Sequence, residues 1–173
     1  HDGIDDAAVG IPGEALGGLE RGGFLALTGS VANPSGLGGY YRFFGYLNLF
    51  VAAMLMLVMS ENYLGLFLGW EGVGLASYLL IGFWHERPEA VAAAKKAFIM
   101  NAFGDATMAL AFFVIVWQAQ TLDFAPAFAS TEEMSSTAVN LVALGLLGGA
   151  VAKSAQIPLQ TWLPDAMEGP TPV

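Results

Sequence analysis

The chain has 173 residues, 55% of them hydrophobic and only 21 charged, 6 basic and 15 acidic; at about half the charged fraction of an ordinary soluble domain, it reads as a membrane protein. A net charge of −9 excludes nucleic acid as a partner, because phosphate binding needs clustered Lys and Arg. The absence of cysteine excludes disulfides, thiolate zinc sites and iron–sulfur clusters, two histidines, His1 and His85, are too few for a haem or a His-rich metal site, and no Walker A or dinucleotide glycine pattern follows a strand.

Residues 1 to 39 hold 11 of the 22 glycines, five acids and a single base, Arg21. Such a stretch neither spans a bilayer nor buries a core, and is expected to be a flexible extramembrane segment. It shows no signal-peptide pattern. His1 in place of Met, and an ending at Val173 in mid-phrase, lead us to expect a piece of a longer protein.

From Tyr40 onward, residues 43 to 60 carry no charge, 62 to 84 carry only Glu71, 97 to 117 only Asp105, and 138 to 163 only Lys153. A bilayer core of about 30 Å needs about 20 helical residues. The expectation for residues 40 to 173 is therefore an all-α polytopic membrane domain of about four transmembrane helices. Ser60-Glu61-Asn62 makes a short first turn. His85 to Pro88 makes the second, with Pro88 suited to a first helical position. A longer loop covers 119 to 136, in which Ser130 to Glu133 fits a capping box opening the fourth helix. Arg42, Arg87, Lys95 and Lys96 all fall on one side, which the positive-inside rule makes cytoplasmic; the 119 to 136 loop is then outside.

An ionisable group at mid-membrane costs about 2.5 to 3.5 kcal/mol, against about 0.3 to 0.6 kcal/mol regained per Leu, Ile or Phe. Glu71, Asp105 and Lys153 are thus expected to serve a proton path or a structural ion pair. Glu71 lies among Gly65, Gly69, Gly72 and Gly74, a small-residue surface that lets another backbone approach. Lys153 follows Gly145, Gly148 and Gly149, and Pro158 disfavours helix across the carbonyl of Ser154. The last helix is therefore expected to be interrupted near Pro158, with Lys153, Ser154, Gln156 and Gln160 around an internal hydrated site. Asp105, with Asn101 as its one polar helix mate, is as suited to a hydrogen-bonded structural role as to a conducting one. A Glu71–Lys153 pair at an effective dielectric of 20 is worth about 4 kcal/mol at 4 Å and about 1.7 kcal/mol at 10 Å. That difference is close to the ~2.3 kcal/mol of moving one charge through 100 mV. Changing the separation or protonation of Glu71 is thus a means of loading and unloading Lys153.

The phrases Gly69-Trp70-Glu71-Gly72-Val73-Gly74-Leu75-Ala76-Ser77-Tyr78 and Lys153-Ser154-Ala155-Gln156-Ile157-Pro158-Leu159-Gln160-Thr161-Trp162-Leu163-Pro164-Asp165, with Arg42-Phe43-Phe44-Gly45-Tyr46, closely resemble the antiporter-like subunits of respiratory complex I. The resemblance is to NADH:quinone oxidoreductase chain L, chain 5 in mitochondria, and covers about residues 40 to 173. It implies proton translocation driven by electron transfer elsewhere in the complex. It makes Glu71 and Lys153 the paired groups of a proton half-channel, with a discontinuous lysine helix and most of the first of two inverted repeats. It also implies no cofactor or metal in this chain, NADH and quinone held by other subunits, other membrane-arm subunits and the lipid bilayer as partners, and a bacterial plasma membrane rather than a mitochondrial one. Residues 1 to 39 do not share the resemblance, Ala102 stands where the family usually has Arg, and the chain stops before the family's next channel histidine.

Two other readings compete. A multisubunit cation/proton antiporter shares the Glu and broken-helix Lys, although Trp70-Glu71-Gly72-Val73-Gly74 favours complex I. The other is an inactive structural piece, since four helices without an exit helix do not complete a half-channel.

Overall fold

The structure, a computed structural model, describes residues 36–170; the expected flexible segment lies outside the described residues up to position 35. The architecture is all-helical, with no β-strand among the described residues. Helix α1 covers Gly36–Met59, α2 Tyr63–Ile81, α3 Pro88–Ala119, α4 Phe124–Ala129, α5 Ser136–Lys153 and α6 Trp162–Asp165. Four of these, α1, α2, α3 and α5, are long and apolar enough to cross a membrane, as the uncharged runs predict. Helix α1 begins at Gly36, four residues before the expected boundary at Tyr40.

The turns follow local chemistry. Asn62 caps α2, its side-chain oxygen accepting from the Gly65 amide at 2.7 Å, a bond that satisfies one orphan donor of the first turn. Pro88 opens α3, where its missing N–H costs nothing. The expected capping box at Ser130 to Glu133 does not form. Ser130–Glu132 is a short 3₁₀ turn, the Ser130 hydroxyl donates to the Ala127 carbonyl, and α5 is capped five residues later by Ser135, which accepts from the Ala138 amide at 3.2 Å.

The helices stand in a row, α1 on α2, α2 on α3 and α3 on α5. Glycines set the separations. A Cβ on Gly69 would overlap the Leu57 backbone of α1, and one on Gly104 would overlap the Ala152 side chain of α5. Thr107 bridges α3 and α5, its hydroxyl facing the Gly104 and Gly145 carbonyls at 2.7 and 3.2 Å. Gly65 faces only its own turn, Ser60 and Asn62, so the expected Gly65–Gly69 stripe divides. Gly69 and Gly72 meet α1, while Gly74 meets Lys153.

Apolar clusters occupy the two ends of the bundle. At one end Tyr63, Met108, Phe112, Ile115 and Ala127 pack together, and the Tyr63 amide donates to the Leu122 carbonyl, joining the first turn to the 119 to 136 loop. At the other end lie Phe43, Leu80 and Phe83, beside Ile81, Ala93, Ala94 and Ala97. There the Arg42 guanidinium sits 4.7 Å from the Phe83 ring centroid. The basic residues thus gather at one end and the acidic loop at the other, as charge counting predicts. Large apolar side chains such as Phe103, Phe113 and Trp117 remain exposed, which suits a surface met by lipid or by neighbouring helices.

Helix α5 stops at Lys153, five residues before Pro158. The Gln156 amide donates to Val151 O at 2.9 Å and the Ala155 amide to Ala152 O at 3.2 Å, the paired closing bonds of a Schellman turn. That turn needs a left-handed residue, and Ala155 occupies it at φ 50. An L-residue with a Cβ costs about 1 kcal/mol there relative to glycine. Ala155→Gly is therefore expected to raise stability by about 1 kcal/mol, read as an upward shift in the thermal unfolding midpoint in detergent. The segment beyond folds back on the bundle, with the Trp162 indole donating to Ala152 O at 3.0 Å and Lys96 pairing with Asp165 at 2.7 Å. Both partners of that pair are partly exposed, at 39% and 45%. Lys96→Met is expected to cost no more than about 1 kcal/mol, and to cost less as salt is added; a salt-independent loss measured by the same melt would contradict this.

Candidate functional site

Between the two apolar ends lie the three charges. On α2, Trp70, Gly74 and Ser77 recur at helical spacing and share a face; on α3, Asn101 and Asp105 do the same. These faces converge on the last residue of α5, Lys153.

The partner of Lys153 is Asp105. Its Oδ2 lies 3.6 Å from Lys153 Nζ, and the two side chains are 18% and 7% exposed for Lys and Asp respectively. The other carboxylate oxygen, Oδ1, accepts the Trp70 indole N–H at 2.6 Å. Trp70 also places its ring 5.7 Å from the ammonium, a cation–π distance. One indole thus touches both members of the pair. Glu71, half-buried one residue further along α2, makes no ion pair within 4 Å among the described residues. The residue in contact with Lys153 is therefore Asp105, with Glu71 outside ion-pair distance. The rotation of α2 brings Trp70 and Gly74, not Glu71, against the lysine.

A Cβ on Gly74 would come within 2.6 Å of Lys153 Nζ, so the ammonium lies directly over the α2 backbone, and a side chain there would make the end of the lysine shift. The cavity beside the lysine, about 400 Å³, is lined by α1, α2 and α3 and includes Gly74, Ser77, Tyr78, Asn101 and Lys153. Ser154, Gln156 and Gln160, expected around the lysine, are exposed instead and do not line it. Among the described residues no group of three or more His, Asp or Glu side chains is placed to hold a metal ion.

Sequence reasoning missed Trp70, whose indole N–H is a donor with one proton and in an apolar helix needs an acceptor; that need is the signal by which a nearby carboxylate could have been found. It also missed Thr107 and the Lys96–Asp165 pair, for which helix spacing alone holds no signal.

Residues 60–173 match the family model of the NADH:quinone oxidoreductase/Mrp antiporter transmembrane domain. The chain belongs to this family. It is 58% identical over 132 residues, 76% of its length, to NADH-quinone oxidoreductase subunit L of Mycobacterium tuberculosis. It is 54% identical over 142 residues, 78% of its length, to subunit L of Escherichia coli K12, and 51% identical over 132 residues, 76% of its length, to NADH-ubiquinone oxidoreductase chain 5 of Cryptococcus neoformans. Those stretches are 21%, 22% and 20% of the three relatives, so the chain spans about a fifth of their length. The family's transmembrane character agrees with the four spanning helices, and the chain is a multi-pass membrane protein.

Proposed function

We propose that the chain is part of a membrane-arm subunit of an NADH:quinone oxidoreductase, and that it translocates protons through Lys153. The observation that carries the reading is the buried Lys153–Asp105 pair at 3.6 Å, at an interrupted helix in the middle of the membrane domain. A charge placed there costs several kcal/mol unless it has a use or a partner. Here it has a carboxylate partner that can release it, and a cavity alongside. Lys153 is the group that gains and loses the proton, Asp105 is its counter-ion, and Glu71 is a second carboxylate on α2 whose charge biases the pair from outside contact distance. Pro158 keeps the chain after the turn from rejoining α5 as helix.

NADH and quinone would be bound by other subunits, with no redox chemistry in this chain, and other membrane-arm subunits would be its partners in a bacterial plasma membrane. The relatives named above support the oxidoreductase over a cation/proton antiporter, since each is a subunit of NADH-quinone or NADH-ubiquinone oxidoreductase. The test uses sealed vesicles of native membrane holding the natural-length protein. NADH oxidation is expected to acidify the vesicle lumen, with the acidification lost on quinone-site inhibition. Exchange of Na⁺ for H⁺ without a redox substrate would instead establish the antiporter.

A further inference from the structure

Lys153 Nζ and Asn101 Oδ1 are buried polar atoms without a hydrogen-bond partner among the described residues, and both residues line the same cavity. Asn101 is only 9% exposed. Its amide nitrogen is committed, donating to the Ala97 carbonyl at 2.8 Å, which fixes the oxygen as the end left over. The indole donors at the cavity are committed as well, Trp70 to Asp105 and Trp162 to Ala152 O. Most of the remaining lining is apolar, with the hydroxyl-bearing Ser77 and Tyr78 as exceptions.

A buried acceptor without a donor is costly, and buried amides are satisfied by protein or by ordered water. A water site needs room for at least one molecule and two or more polar groups to hold it. The cavity is about 400 Å³, and Asn101, Lys153, Ser77 and Tyr78 are the polar residues along its wall. We propose that Asn101 anchors ordered water in this cavity and is a positioning residue for proton exchange at Lys153. Its Oδ1 accepts from the water, whose own oxygen is thereby turned toward the ammonium as the acceptor of its proton. The proton leaves Lys153 Nζ as its N–H bond breaks and a water O–H bond forms, leaving a neutral amine and a hydronium that passes its charge along the water. The inference rests on Lys153 being the proton-carrying group.

The test uses the natural-length protein in native membranes. Asn101→Leu keeps the volume and removes the acceptor. The expected result is NADH-driven proton uptake slowed about tenfold, the equivalent of ~1.4 kcal/mol, with a larger solvent deuterium isotope effect. Asn101→Ser, which retains a hydroxyl acceptor, is expected to restore most of the rate. An unchanged rate in Asn101→Leu, or a slower rate with an unchanged isotope effect, would overturn the proposal. Should Asn101→Leu fail to assemble, an experimental structure of the unsubstituted protein that shows ordered waters decides. Water within hydrogen-bond distance of Asn101 Oδ1 supports the proposal, and a protein donor or apolar contact there overturns it. Lys153→Met keeps the two failures apart: if it pumps at the full rate, the proton-relay reading itself is wrong, whereas a silent Lys153→Met beside a fully active Asn101→Leu removes only the role of Asn101.

Discussion

Lys153→Met, in the natural-length protein, is expected to abolish proton translocation through this domain and to destabilise it by about 3 to 5 kcal/mol, the range for removing one partner of a buried ion pair. The loss follows from what remains. Asp105 is 7% exposed and keeps only the Trp70 indole as a direct partner, so its carboxylate must either stay charged in an apolar interior or take up a proton. Removing both charges is a different matter, since an apolar pair of similar volume is often neutral or stabilising. Lys153→Met combined with Asp105→Leu is expected to recover most of the stability and none of the transport. A double-mutant cycle of thermal unfolding, run beside proton uptake in vesicles, separates the two effects. Full pumping by Lys153→Met would remove the lysine from the mechanism, and additive losses in the cycle would show that the two side chains do not interact.

Gly104→Leu is expected to be the most disruptive change in the helix packing. Even a single Cβ at Gly104 would overlap Ala152, with the Gly148 carbonyl at 2.8 Å, and these neighbours are backbone or a methyl group with no room to turn aside. Overpacking a close helix contact costs about 1 to 3 kcal/mol, occasionally more. Gly104 and Ala152 directly precede Asp105 and Lys153, so the helix contact sets the distance of the ion pair. The prediction is therefore two-fold: a lower unfolding midpoint, and a loss of proton uptake greater than the loss of folded protein explains. Gly104→Ala is expected to do the same more mildly. A variant that folds as well as the unsubstituted protein and pumps normally would show that α3 and α5 can separate without consequence.

The spanning helices were legible because uncharged runs of this length have one physical explanation in a chain of this composition. Lys153 was legible for the complementary reason, that an isolated charge in such a run is expensive. The choice between Glu71 and Asp105 as its partner was not legible, because both are carboxylates at mid-membrane positions of adjacent helices. Only the rotation of α2, fixed by Gly69 and Gly72 against α1, decides which side chain meets the ammonium. The end of α5 was hidden for a different reason. The usual signal for a left-handed helix end is glycine, and here Ala155 takes that conformation, so Pro158 was the visible marker and the turn came earlier. The cap of α5 was obscured by redundancy, since Ser130, Thr131, Ser135 and Ser136 all have the right chemistry and only the chain path selects Ser135.

Helix α3 holds both Asp105, which meets the lysine, and Lys96, which meets Asp165. Nine residues separate Asp105 from Lys96, about 13.5 Å along a helix axis, whereas the twelve residue steps from Lys153 to Asp165 would reach about 40 Å if drawn straight. The connecting strip therefore carries roughly three times the length its anchor points require. The excess is taken up by the turn at Ala155, by α6 and by the Trp162 indole bond to Ala152 O, so the strip is tied back to the lysine's own turn as well as to α3.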